Sequence, residues 1–225
     1  MQDPKKALDL LNSSNELYFL IISILVAYFL GSVPIADRIS RRRGIDIFSK
    51  GTGLAGATNV RKEVGFKSSI IVVAGDTLKG ILAILVAQKF GVSGYWIFLP
   101  AFAAIAGHWR SVFTNFRGGD GLIVLGGIIV ALFDVFGVIS ITLAMLIGLG
   151  GQKLFYSSLM SIVAGNVSLI VLSATFEGPQ IFKLAVGTGI LSTLVLIHAL
   201  KGHSKRNKEK VLDQQFQSEA HTLKN

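Results

Sequence analysis

The sequence predicts an all-α integral membrane protein with about seven transmembrane helices, the N-terminus outside and the C-terminus in the cytoplasm. Three observations predict it. The mean hydropathy is +0.61, and only 16% of the 225 residues are charged, against roughly 25% in soluble domains. Apolar runs near the ~20 residues that a bilayer-crossing helix needs recur along the chain. The basic residues gather in alternate connections between those runs.

The elements follow in order. Residues 1–16 are polar and do not read as a cleavable signal, so the first span is an anchor. That span runs from Leu17 to about Ile35. A long polar loop, 38–67, comes next. The second span, Ser68 to Phe90, carries Asp76 and Lys79 within its apolar run. The third covers about Tyr95 to His108. The fourth and fifth, Leu122–Phe133 and Val135–Leu149, are short and almost touch, which fits a thin local membrane and an αα-hairpin at Asp134. The sixth is Phe155–Thr175 and the seventh about Ile181–Leu200. Residues 17–200 therefore form one membrane domain, and 201–225 a basic tail.

Charge sets the orientation. Loop 38–67 holds Arg38, Arg41, Arg42, Arg43, Lys50, Arg61, Lys62 and Lys67. The third loop adds Arg110 and Arg117, the fifth Lys153, and the tail six more lysines and arginines. Together these are 17 of the 22 basic residues. The positive-inside rule puts that side, loop 38–67 and the tail included, in the cytoplasm. Seven crossings make the bias consistent, and five or six fit if the short pair is re-entrant. The formal charge of +9 suits anionic headgroups, at about 1 kcal/mol per cation near the surface. No nucleic-acid-binding pattern accompanies it. With no cysteine there is no disulfide, thiolate metal site or Cys nucleophile, and no His/carboxylate set has metal-ligand spacing.

Four segments can carry chemistry. In Gly44–Gly65, Gly51, Gly53 and Gly56 permit positive φ, and Thr52, Thr58 and Asn59 add donors, a composition that suits phosphate. The competing reading is a tight interfacial turn. In Gly107–Gly121, Arg117 precedes Gly118 and Gly119, a guanidinium beside two bare amides. The competing reading of Arg117 is a snorkelling anchor. His108 ends an apolar run there. Asp76 and Lys79 stand one helical turn apart in a span, and ionisable residues in a membrane are costly. They make either a functional pair or a neutralised structural one, and an ion pathway is a further alternative. Ser158 and Ser161 share a face with Gly165, a pattern that also serves helix packing. By the topology above, these loops and serines all converge on the cytoplasmic side.

The sequence resembles the bacterial acyl-phosphate-dependent glycerol-3-phosphate acyltransferase family. The matching residues are GSVP at 31–34, GIDI at 44–47, GTGLAGATNV at 51–60, GDTLKG at 75–80, GH at 107–108, FRGGDG at 116–121 and YSSLMSIVA at 156–164. The resemblance implies a seven-helix fold in the bacterial inner membrane with a cytoplasm-facing site. It implies acyl transfer from acyl phosphate to the sn-1 hydroxyl of glycerol 3-phosphate, giving lysophosphatidic acid. No cofactor is implied. Arg117, His108 and His203 become the catalytic candidates. Ser32, Gly51, Thr52, Gly53, Gly56, Thr58, Asn59, Lys79, Gly118, Gly119, Ser158 and Ser161 become the substrate-binding set. An acyl phosphate is a mixed anhydride, so direct displacement helped by orientation and charge stabilisation suffices. The chain departs from the pattern at Phe48 (Arg), Leu54 (Asn), Asp120 (Lys) and Phe155 (Arg), which removes three cations. The alternative is a non-catalytic member that binds lipid or a partner.

Overall fold

The computed structural model describes residues 4–150 and 157–222, with side chains described for 15–148 and 159–201. The described regular structure is helical. The elements are α1 (Pro4–Ser32), α2 (Ile35–Arg41), α3 (Ala57–Glu63), α4 (Phe66–Lys89), α5 (Phe98–Trp109), α6 (Leu122–Gly150), α7 (Ser157–Phe176) and α8 (Pro179–Thr222). Short 3₁₀ turns, Gly94–Ile97 and Val112–Thr114, flank α5. Five segments are long and apolar enough to cross a membrane: Asn15–Arg41, Phe66–Lys89, Leu122–Gly148, Leu159–Phe176 and Pro179–Lys201. α5 has 12 residues, about 18 Å of helix at 1.5 Å per residue.

α6 is two helices rather than one rod. Asp134 has φ 45° and ψ −121°, far outside helical space. A methyl group placed on Gly126 would lie 3.8 Å from Ile141 Cδ1. In a straight helix those positions are about 22 Å apart. The chain therefore doubles back at Asp134 and forms the hairpin expected from the short apolar runs. Helix extends past the apolar runs at both chain ends. α1 starts at Pro4, within the polar segment, and α8 continues through the basic tail to Thr222.

The surface is inverted relative to a water-soluble protein. Leu17, Phe19, Ile21, Leu25, Phe29, Ile70 and Ile71 are exposed, whereas Ser32, Asp76, Lys79, His108, Ser111 and Thr114 are buried. Polar groups inside and large apolar groups outside are what a lipid solvent selects.

With lipid as apolar as leucine, helices associate through close packing. α1 packs mainly on α5, α4 on α6, and α7 on α6 and α8. At the α1–α5 crossing a Cβ on Gly31 would collide with the Ala104 carbonyl, and one on Gly107 with the Tyr28 carbonyl. At the α4–α6 crossing Gly80 and Gly127 stand in the same relation to Val124 and Thr77. The main core fills the space between, with Ile84, Ile97, Ala104, Ile105, Val124 and Ile128 nearly inaccessible. A smaller cluster of Ala36, Ile47, Ala55, Ala57, Val60 and Val72 anchors loop 42–56 and α3 over α2 and α4.

Candidate active site

A cleft opens where α1 ends, α5 ends and the loop after α5 meets loop one. It is lined by Gly31–Ala36, Ala55, Asp76, Lys79, His108, Ser111, Thr114 and Arg117–Gly119. The cleft spans about 250 Å³ including its open mouth, and side chains fill it closely enough to leave free room for roughly one water.

The floor is charged. Lys79 Nζ lies 2.7 Å from Asp76 Oδ1, with side chains only 6% and 2% exposed. The i, i+3 spacing on α4 places both heads on one face. His108 Nδ1 is 3.9 Å from the same oxygen, too long for a hydrogen bond but close enough to feel the charge. The ion pair is internally neutral, so Arg117 supplies the uncompensated cation among the described lining residues.

The wall belongs to the α1–α5 contact. Ser32 Oγ donates to Tyr28 O at 2.8 Å, and Ser111 Oγ donates to Ser32 O at 2.6 Å. Tyr28 Oη donates to Arg110 O at 2.8 Å. The end of α1 is thus tied to the start of the Arg117 loop across about 80 residues of sequence.

That loop is bent by two consecutive left-handed residues, Asn115 (φ 54°) and Phe116 (φ 58°). Asn tolerates this region. Phe does so at a cost of about 1–2 kcal/mol, and such strain persists where surrounding contacts hold it. Here Phe116 N–H donates to Ser111 O, and Thr114 Oγ1 donates to Arg117 O. Gly119 N–H then donates to His108 O at 3.1 Å, and Ala55 N–H to Gly118 O at 3.1 Å. A side chain at 118 would strike the His108 carbonyl, and one at 119 the His108 ring. The Arg-Gly-Gly run therefore lies flat on the end of α5. One of its two amides, that of Gly119, is already engaged.

Arg117 itself is exposed at the lip. Its Cζ lies 4.4 Å from the centroid of the Phe48 ring, a cation–π stack. A guanidinium stacked through its face still donates through its edge. Phe48 thus backs the Arg117 guanidinium at the lip of the cleft.

Loop one contributes differently from its composition. Gly51 (φ 56°) and Gly53 (φ 68°) do take positive φ. Gly56 is extended at φ −131° and precedes α3. Asn59 is 2% exposed. Its Nδ2 donates to the carbonyls of Ile47, Lys50 and Leu54 at 3.0–3.1 Å, and its Oδ1 accepts from Thr52 N–H at 3.1 Å. Asn59 is the staple of the loop. Thr58 faces solvent on α3. None of Gly51, Thr52, Gly53, Gly56, Thr58 and Asn59 lines the cleft, which loop one reaches through Ala55.

Ser161 also lies elsewhere. Its Oγ donates to Ala144 O, and Gly165 presses on Ala144 and Ser140, so this face joins α7 to α6. The side chains of Ser158 and His203, and residues Lys153, Phe155 and Tyr156, lie outside the described part. The cleft brings together Ser32, Lys79, His108, Arg117, Gly118 and Gly119 from the expected set. It adds Ser111 and Thr114, whose signal was a Ser-x-x-Thr turn just after a helix. Asp120, adjoining the cleft, points its Oδ1 at Leu122 N–H at 3.2 Å and caps α6.

Residues 21–210 match the model of the glycerol-3-phosphate acyltransferase family. The chain belongs to that family. Among curated relatives, "Glycerol-3-phosphate acyltransferase 1" of Deinococcus radiodurans is 34% identical over 166 residues, 73% of this chain and 84% of its own length. The glycerol-3-phosphate acyltransferase of Geobacter sulfurreducens is 32% identical over 191 residues, 84% of this chain and 94% of its own. A crystal structure of PlsY (YgiH), an integral membrane glycerol 3-phosphate acyltransferase in its glycerol 3-phosphate form, superposes with a TM-score of 0.64 at 27% identity. The match covers 87% of this chain and 92% of that one. The lysophosphatidic acid form of the same enzyme gives a TM-score of 0.62 at 28% identity, covering 82% and 93%.

Proposed function

We propose that this protein transfers a fatty acyl group from acyl phosphate to glycerol 3-phosphate in the bacterial inner membrane, and that the cleft above is where it does so. One observation carries the reading. A buried Lys79–Asp76–His108 cluster and an aromatic-backed Arg117 face one small cleft at the end of a membrane bundle. The relatives' names and the two ligand forms of the solved relative support it.

Arg117 binds a phosphate through its guanidinium edge, and Lys79 lends field from the floor. Ser32 Oγ, whose proton goes to Tyr28 O, presents lone pairs to a substrate hydroxyl. His108 takes the proton of the sn-1 hydroxyl as its oxygen attacks the acyl carbonyl carbon. The bond from that carbon to the phosphate oxygen breaks, and phosphate leaves with the electron pair. No covalent enzyme intermediate is needed. Gly51, Gly53 and Asn59 act at one remove, shaping the loop that carries Phe48 and Ala55. The bundle crosses the membrane seven times: α1 with α2, α4, α5, the two arms of α6, α7 and α8. The N-terminus lies outside and the cleft, loop 38–67 and tail in the cytoplasm, which the basic asymmetry supports.

The test is acyl transfer by the purified protein with acyl phosphate and labelled glycerol 3-phosphate. The expected product is labelled lysophosphatidic acid. Its absence, with the protein folded, would favour a non-catalytic lipid-binding member.

A further inference from the structure

A second cavity, larger than the first, lies between the N-terminal halves of α5 and α8 and their preceding turn. Its volume is about 500 Å³. Tyr95, Phe98, Phe102, Gly187 and Leu194 line it, and Lys183 is its one charged lining residue. It shares no residue with the catalytic cleft. His108 stands in the last turn of α5 and Arg117 follows that helix, whereas this groove sits against its N-terminal half, so the two lie toward opposite ends of the helix.

The groove is built. Gly187 has the Phe98 ring against its backbone, where any side chain would collide with that ring. The missing side chain is what lets the ring edge pack against α8 at this point of the groove. Its length fits one leaflet. Lys183 and Leu194 are 11 positions apart on α8, about 16 Å of helix, half of a ~30 Å hydrocarbon core. Its ends differ as a lipid's do. Lys183 and the exposed Tyr95 mark the interfacial end, and Phe102 and Leu194 the deep end. Among the described residues no ion pair engages Lys183, and the lining holds no carboxylate.

We propose that this groove is a binding site for an anionic glycerophospholipid of the leaflet opposite the active cleft. One acyl chain lies along Phe98, Phe102 and Leu194, and the headgroup phosphate meets Lys183. The site stands apart from acyl transfer, whose substrates enter from the other face.

The experiment reconstitutes the full chain in phosphatidylcholine vesicles. It measures the motionally restricted fraction of spin-labelled phosphatidylglycerol and phosphatidylcholine in turn. The wild type should favour phosphatidylglycerol by about fivefold, the worth of one interfacial cation. Lys183→Gln should abolish that preference while leaving acyl transfer and thermal stability unchanged. Gly187→Leu, which drives the Phe98 ring into the groove, should lower restriction of both lipids. Equal restriction of the two lipids by the wild type would overturn the proposal, as would an unaltered preference in Lys183→Gln. If Lys183→Gln instead raises the KM for acyl phosphate, the groove belongs to the donor's chain and the proposal fails. Should Gly187→Leu misfold, the exposed Lys183→Gln variant decides alone.

Discussion

Lys79→Met removes an ammonium and keeps an unbranched chain of similar length. The structure sets the size of the effect. The Lys79–Asp76 pair is 2.7 Å apart, and both side chains are almost wholly buried. Removing one partner leaves the Asp76 carboxylate without its cation, a situation that costs about 3–5 kcal/mol. His108, at 3.9 Å, is too far to replace the contact without moving. Replacing the pair together, as Asp76→Leu/Lys79→Met, leaves no stranded charge, and such exchanges are often neutral. Thus the single variant is severely destabilised, and the double variant recovers most of the loss. The assay is denaturant unfolding of the purified protein in detergent, with a double-mutant cycle. A loss below about 1 kcal/mol for Lys79→Met would refute the reasoning, because that is the worth of an exposed pair. So would a double variant no better than the single one.

Further outcomes follow from the same geometry. Asn59→Ala should unstaple loop one and lower stability by about 2–4 kcal/mol, since one buried amide serves four backbone groups; a melting temperature within about 1–2 °C of wild type, an effect of at most about 1 kcal/mol, would contradict that. Asp120→Lys should cost about 1 kcal/mol by losing the Leu122 cap, yet tighten glycerol 3-phosphate binding severalfold by adding a cation beside the cleft. Weaker binding in a folded variant would show that Asp120 serves the site. A cysteine at Thr58, placed in a chain with none of its own, should resist an impermeant reagent applied outside intact cells, and labelling there would reverse the proposed orientation.

Much of the fold is legible in the sequence because lipid imposes simple rules. Apolar length marked the five segments long enough to cross a membrane, and the two short runs around Asp134 are the two arms of α6. Polarity misplaced the start of the first helix, because a helix needs only intact backbone bonds to continue past the apolar run, as α1 does from Pro4. The site was legible in part. Lys79, His108 and Arg117 stood out because charge or a lone His is expensive in or beside a membrane. The Gly/Thr loop was legible in its backbone and not in its side-chain bonding. Composition shows which backbone conformations Gly51 and Gly53 allow, but not that Asn59 would spend its amide on the loop's own carbonyls. Ser111 and Thr114 were hidden because their placement depends on a long-range bond to Ser32. The Phe48–Arg117 stack was hidden for the same reason, joining positions nearly 70 residues apart.

The central claim is that glycerol 3-phosphate binds in the cleft and that Arg117 holds its phosphate. Equilibrium binding of labelled glycerol 3-phosphate to the wild type and Arg117→Ala tests it most directly, with thermal stability measured on the same samples. A charge-assisted hydrogen bond is worth about 1.5–3 kcal/mol, so affinity should fall at least about tenfold with stability unchanged. Equal affinity in the two proteins would contradict the account and leave Arg117 a membrane-surface anchor.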